Sequence, residues 1–242
     1  MKTRLLFFAS ILALTGCGSS MSDITPGDEV EKASFENAFL VRNILLHSNY
    51  HVDITYNQYN TPTEGHTSYS KSIDFDSKKA KVIYTSDKEP YYFDFSGSND
   101  SSSYTFDFYS PLVNNNEVTY SVKSHKNISL SNDFMGINDL DMETGGKGLT
   151  LISGLNHSNF KLNGGIYELT SPIKVDRGVA KATYDVIKVS FFGDNPKEIY
   201  YHYDIEITVE EQTLKMSAES RLVFSKHGQV SVTLPEIEAD PQ

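Results

Sequence analysis

The chain has 242 residues, with 32 acidic against 21 basic side chains and a net charge of −11. An acidic surface of that kind is repelled by phosphate backbones and anionic headgroups, which argues against a nucleic-acid partner and against a domain that hugs a bilayer through its own charge. One cysteine excludes an internal disulfide, and 15 Tyr and 14 Phe without Trp, beside abundant Ser, Thr and Asn, point to strands and turns around a packed core.

The first residues read as an export signal. Lys2 and Arg4 form a short basic start, Leu5 to Leu14 is apolar apart from Ser10, and Leu14-Thr15-Gly16-Cys17 follows. The apolar run of about ten residues is half of what a spanning helix needs. Removal of residues 1–16 takes two positive charges from an already acidic chain and makes Cys17 the first residue. Residues 17–31, small and polar without periodicity, are expected to be a flexible tether.

Residues 32–48 fit an amphipathic helix: Phe35, Ala38, Phe39, Arg42 and Leu45 fall at three- and four-residue steps, with Ser34 as a plausible N-cap. The period then changes to two. Tyr50, Val52, Ile54 and Tyr56 alternate with His51, Asp53 and Thr55. Further short alternations follow at Tyr69 to Phe75, Val82 and Tyr84, Tyr91 to Phe95, Tyr104 to Phe108, and Val118 to Val122. Six short strands separated by polar turns describe an antiparallel meander with one aromatic face and one polar face.

Residues 127–165 interrupt this pattern with many glycines, and Leu149, Ile152 and Leu155 suggest a short helix. Ile166 to Leu169 reads as a strand. Residues 177–189 fit a helix through Val179, Ala182 and Val186 and a strand through Ala182, Tyr184 and Val186; the helix is favoured. Tyr201 to Val209 and Leu214 to Phe224 alternate over long stretches, and Val230, Val232 and Leu234 suggest a last strand after a turn at Gly228. One β-rich domain over residues 32–236 is expected, with an acidic tail at 237–242.

The four residues Leu14-Thr15-Gly16-Cys17 resemble the lipobox of bacterial lipoproteins: an apolar residue, two small ones and the cysteine that takes a diacylglyceryl group. The resemblance implies lipidation at Cys17, anchoring of the chain to a membrane, and an extracytoplasmic place at the outer membrane or cell surface. The order of elements, together with the stretches 149–169 and Arg221 to Pro235, resembles the LolA/LppX-type lipoprotein carriers. That resemblance implies a strongly curved antiparallel sheet, an unclosed half-barrel, with an N-terminal helix and one or two short helices on its concave side. It further implies a lipid or acyl ligand. The aromatic side chains that would line the cavity are Phe39, Tyr56, Phe75, Phe93, Phe106, Tyr120, Tyr203, Ile205, Ile207 and Met216. The same face could equally be a filled core. The alternative function is a structural or interaction module of the envelope that uses its polar face and loops, with Tyr92 and Tyr200 directed outward.

No linear motif for chemistry is present. The seven histidines (47, 51, 66, 125, 157, 202 and 227) show no ligand spacing, and the acidic run Asp139, Asp141 and Glu143 lacks the glycine and glutamate of a calcium loop. There is no nucleophile elbow and no phosphate loop. The expectation is therefore a non-enzymatic, monomeric protein without metal or cofactor.

Overall fold

The computed structural model describes residues 24–39, 43–44, 47–61, 65–79, 81–85, 89–98, 103–115, 117–129, 156–176, 180–209 and 212–237. Most of them belong to one antiparallel sheet of 12 strands. In chain order these are β1 (Asn49–Thr61), β2 (His66–Asp76), β3 (Lys81–Thr85), β4 (Tyr91–Asp94), β5 (Ser103–Asn114), β6 (Glu117–Ser129), β7 (Phe160–Asn163), β8 (Ile166–Leu169), β9 (Ile173–Asp176), β10 (Ala180–Phe192), β11 (Asn195–Val209) and β12 (Gln212–Ser225). The spatial order is β6-β5-β4-β3-β2-β1-β12-β11-β10-β8-β7, with β9 also on β10. Among the described residues β6 and β7 are not paired with each other, so the sheet is open. The first and last strands, β1 and β12, meet at its centre along 11 residue pairs from His51↔Ser225 to Thr61↔Lys215.

The register sorts side chains onto two faces. Tyr50, Val52, Ile54 and Tyr56 on β1 stand on the same side as Phe75 and Ile73 on β2 and as Phe224, Leu222 and Ser220 on β12, because partners in register share a face. The same side continues through Val82, Phe93 and Phe108 in one direction and Ile199, Tyr201, Ile187, Val189 and Tyr167 in the other. All of these except the buried Ser220 belong to one continuous buried hydrophobic cluster. The opposite, outer face carries His51, Asp53, Thr55, Asn57, Glu198, Tyr200, His202, Ser217, Glu219 and Arg221.

The helix α1 (Lys32–Ala38) starts where the periodicity predicts and is shorter. Its N-cap is Glu31 rather than Ser34, and Phe35 N–H donates to the Glu31 carbonyl at 2.9 Å. Asn43 and Ile44 are again helical. A seven-residue helix has little stability of its own. It is held by Phe35, whose ring lies 5.0–5.5 Å from Phe39, His157, Phe160, Tyr167 and Phe191. The short helix expected around residues 149–155 lies outside the described residues.

Three further expectations are corrected. Residues 180–192 form a strand, not a helix. Tyr184 pairs with Tyr203 but Val186 pairs with His202, so Asp185 is an extra residue in the ladder. The core-facing positions therefore run Ala182, Tyr184, then Ile187, Val189, Phe191. One bulge converts an alternation into three-residue spacing, which imitates a helix. The neighbouring edge breaks at the same place: β8 pairs with Lys188 and Val189 and β9 with residues 181–184, with Ser171 and Pro172 between them.

Residues 230–234 are not a strand. The Asn49 amide brackets Val230, accepting from its N–H and donating to its carbonyl at 3.0 Å each, and the buried Asp76 carboxylate accepts from Val232 N–H at 2.9 Å. Side chains replace a backbone partner here, and Val230 and Val232 still reach the core edge.

The coil expected through residue 31 is docked from Ile24 onward. Gly27 N–H donates to Gly165 O at 3.1 Å, Asp28 N–H to Phe191 O at 2.9 Å, and Tyr167 Oη bridges the N–H and carbonyl of Val30. A Cβ on Gly27 would sit 2.2 Å from Phe191 O, so only glycine allows the approach. Gly164 and Gly165, both at positive φ, form the β7–β8 turn on which this segment rests.

Candidate functional site

The buried face is not uniform. At the level of Val52, Ile73, Phe75, Ile187, Val189 and Phe191 it is closed to solvent. Farther along β11 and β12, Ile205, Ile207 and Met216 on the same side are half-buried and Leu214 is 37% exposed. Between these levels lies a belt of tyrosines. Tyr184 and Tyr203 stack at 4.9 Å, Tyr201 lies 5.9 Å from Tyr203, and Tyr56 Oη donates to Gln58 Oε1 at 2.6 Å. Gln58 in turn reaches Met216 Sδ at 3.3 Å. Burial, then the neighbouring phenols of Tyr201 and Tyr56, push the Tyr203 hydroxyl far above the ordinary phenol range, so it stays a neutral donor at any physiological pH. Lys71, only 8% exposed, stands on this face too, its ammonium 5.6 Å from the Tyr84 ring centre.

Most of the side chains named from sequence as cavity lining stand on this side. Tyr56, Phe75, Phe93, Phe106 and Tyr203 are buried there, Phe39 covers it from the end of α1 against Phe191, and Ile205, Ile207 and Met216 form its half-buried margin. Tyr120 does not. It pairs with Pro111, in the row that carries Tyr109 and Tyr92, and its ring meets Tyr92 edge-on at 5.4 Å on the outer face. Burial, then Tyr92 and Glu89, pushes its hydroxyl up to about 12. On the edge strand β6 the apolar alternation points outward, so the rule that the apolar side faces the core fails there. Tyr92 is on the outer face as expected. Tyr200 is too, but it is only 5% exposed and donates to Glu219 Oε2 at 2.9 Å, which removes it from any contact surface.

The outer face over β10–β12 holds a polar network that no linear motif announces. Arg221 Nε donates to Glu198 Oε1 at 2.6 Å, and Asn57 Nδ2 donates to Glu219 Oε1 at 3.1 Å. Beside them His202 Nδ1 lies 2.6 Å from Asp185 Oδ1 and His202 Nε2 lies 2.8 Å from Ser217 Oγ. A carboxylate only accepts, so Nδ1 carries the proton, and in the neutral ring Nε2 is the atom that accepts from the serine. Asp185 is the bulge residue of β10: the bulge sets two successive side chains, Asp185 and Val186, on the outer face and brings the carboxylate to the histidine. The three residues come from three strands, and their meeting depends on the register of β11 with both neighbours. The sequence signal available was limited to the placement of His202 and Ser217 on polar faces. Among the described residues no group of three or more His, Cys, Asp or Glu is arranged to hold a metal ion. No helix among them is long and apolar enough to cross a membrane.

No family model and no curated protein matches the chain. Among solved structures it is similar to the S-type phycobiliprotein lyase CPES from Guillardia theta, at 10% identity and a TM-score of 0.29, over 82% of this chain and 99% of that one.

Proposed function

We propose that this protein is a membrane-tethered lipoprotein, lipidated at Cys17, whose open sheet acts as a half-barrel that holds an apolar or amphiphilic ligand against its tyrosine belt. The observation that carries the reading is the graded burial of one face. Aliphatic and aromatic side chains are sealed at one level and half-open at Ile205, Ile207 and Met216, with phenol hydroxyls and Gln58 between. An apolar lining with a few convergent polar groups is the composition of small-ligand sites. A lipid or other acyl compound fits the margin, and the phenols supply donors for a carbonyl or ester oxygen.

The test is organic extraction and native mass spectrometry of the protein purified from its own membrane. A co-purifying organic-soluble ligand is expected, lost in Met216→Glu with the far-ultraviolet spectrum unchanged. Ligand-free parent protein that also takes up no fatty acid or phospholipid overturns the reading. Cys17→Ala is expected to move the protein from the detergent to the aqueous phase.

A second reading, an interaction module, is favoured by a separate observation. Val113, Val118 and Val122 are 61%, 37% and 37% exposed on the outer face beside Tyr92 and Tyr120. Cross-linking from this strip to an envelope protein, abolished by Val118→Lys, would support it.

A further inference from the structure

We propose that Ser217, His202 and Asp185 form a working acyl-transfer relay, so that Ser217 is a nucleophile toward neutral esters. Three observations carry this. The order of contacts is that of an activated serine: hydroxyl to Nε2 at 2.8 Å, Nδ1 to carboxylate at 2.6 Å. The relay is open to reactants, since the His202 and Asp185 side chains are 28% and 42% exposed. A hydrogen-bonded trio that served only the fold would satisfy buried polar atoms, whereas the His202 and Asp185 side chains keep contact with water. Finally, Asp185 reaches the site only through the bulge, a device that recurs where a strand re-aims a side chain at a functional site.

The surroundings select the reactant. Asp204 is the register partner of Ser217 on β11, and Glu219 is the partner of His202 on β12. Together with Asp185 they repel anions. Tyr59 is the partner of Ser217 on β1, is 48% exposed and stacks on His66 at 4.7 Å, which offers a flat apolar platform beside the hydroxyl. A neutral ester with an aryl or apolar acyl group fits.

In the first step the Ser217 Oγ–H proton passes to His202 Nε2 as Oγ bonds to the acyl carbon. The ester C–O bond then breaks and the Nε2 proton leaves on the alcohol. In the second step water gives a proton to Nε2 and its oxygen to the acyl carbon, the Oγ–C bond breaks, and Oγ regains the proton as the acid departs. Both edges of β12 are taken by β1 and β11, so its backbone N–H groups are committed to the ladders. The oxyanion lacks the strand's N–H donors. Each missing donor slows such a reaction about 10²–10³-fold. Slow turnover with accumulating acyl-enzyme is the expected behaviour.

The test uses the full-length protein in detergent with a fluorophosphonate probe and p-nitrophenyl acetate. One label per chain, mapped by peptide mass spectrometry to Ser217, is expected, together with a stoichiometric nitrophenol burst. His202→Gln should slow labelling about 10²-fold, the low end of a general base's contribution, and flatten its pH dependence. Asp185→Asn should slow it at least tenfold, whereas Asp53→Asn, a carboxylate of the same outer face that meets His51 instead, should label like the parent. Peptide mapping on the parent reads the site even where Ser217→Ala does not fold. Labelling spread over several serines, or labelling at Ser217 that His202→Gln leaves unchanged, overturns the proposal.

Discussion

Strands β10, β11 and β12 present two faces made from alternate residues of the same backbone, and the faces solve opposite problems. On one, Tyr184, Tyr201, Tyr203, Ile187 and Leu222 are packed by shape, and their polar atoms are few. On the other, Glu198, Arg221, Tyr200 and Glu219 are held by directed bonds, and the Glu198 side chain is only 6% exposed. The difference teaches that burial on this molecule has two sources. One is removal of aromatic surface from water, which tolerates a change of partner. The other is a charge lattice in which each member is needed by the next.

Substitutions can separate the two. The largest effect is expected on the packed side: Phe35→Ala removes the ring on which five others converge and should destabilise the domain by about 3–5 kcal/mol, measured by urea unfolding. On the lattice side Arg221→Ala leaves the Glu198 carboxylate without its guanidinium. Loss of one partner of a fully buried pair costs about 3–5 kcal/mol, and with Arg221 30% exposed about 2 kcal/mol is expected. A double change of Glu198 and Arg221 to Gln and Met should recover most of that, which no packing defect would do. Tyr200→Phe removes one donor from Glu219, still held by Asn57, and should cost about 1 kcal/mol.

The smallest effect is a pH slope. Burial lowers the His227 pKa below the ordinary histidine value, where its ring meets Tyr50 edge-on at 5.8 Å. The folded state then binds fewer protons than the unfolded state as pH falls through the ordinary histidine range. Stability is therefore lost on acidification through that range and levels off below the folded value. His227→Gln should reduce this slope in thermal melts at pH 7.5 and 5.5.

Much of the fold is written in residues that alternate without interruption. Tyr50 to Tyr56, Tyr201 to Val209 and Leu214 to Phe224 identify β1, β11 and β12, because each keeps its alternation in phase over its length. What escaped has local causes. β7 and β9 have four residues each, too few for a period. The bulge at Asp185 shifted the phase of β10 and gave it a helical look. Tyr120 followed the pattern of a core strand while lying on an edge whose apolar side faces outward. The tyrosine belt was legible as aromatic alternation, but its grading from sealed to half-open is a property of the assembled sheet. The serine–histidine–carboxylate arrangement was not legible, since residues 185, 202 and 217 become neighbours only through register.

The docking of Ile24 to Val30 has a mechanical consequence. Under the proposed anchoring, seven peptide links join Cys17 to Ile24, and at no more than about 3.5 Å each they reach about 25 Å. The leash is then shorter than the roughly 45 Å length of β12 estimated from the strand rise. Any tension transmitted along it enters the domain where Gly27 is clasped between Gly165 and Phe191, at the β8–β10 margin. The body would thus hang from one fixed point near the bilayer and turn about that point, rather than drift at the end of a long line.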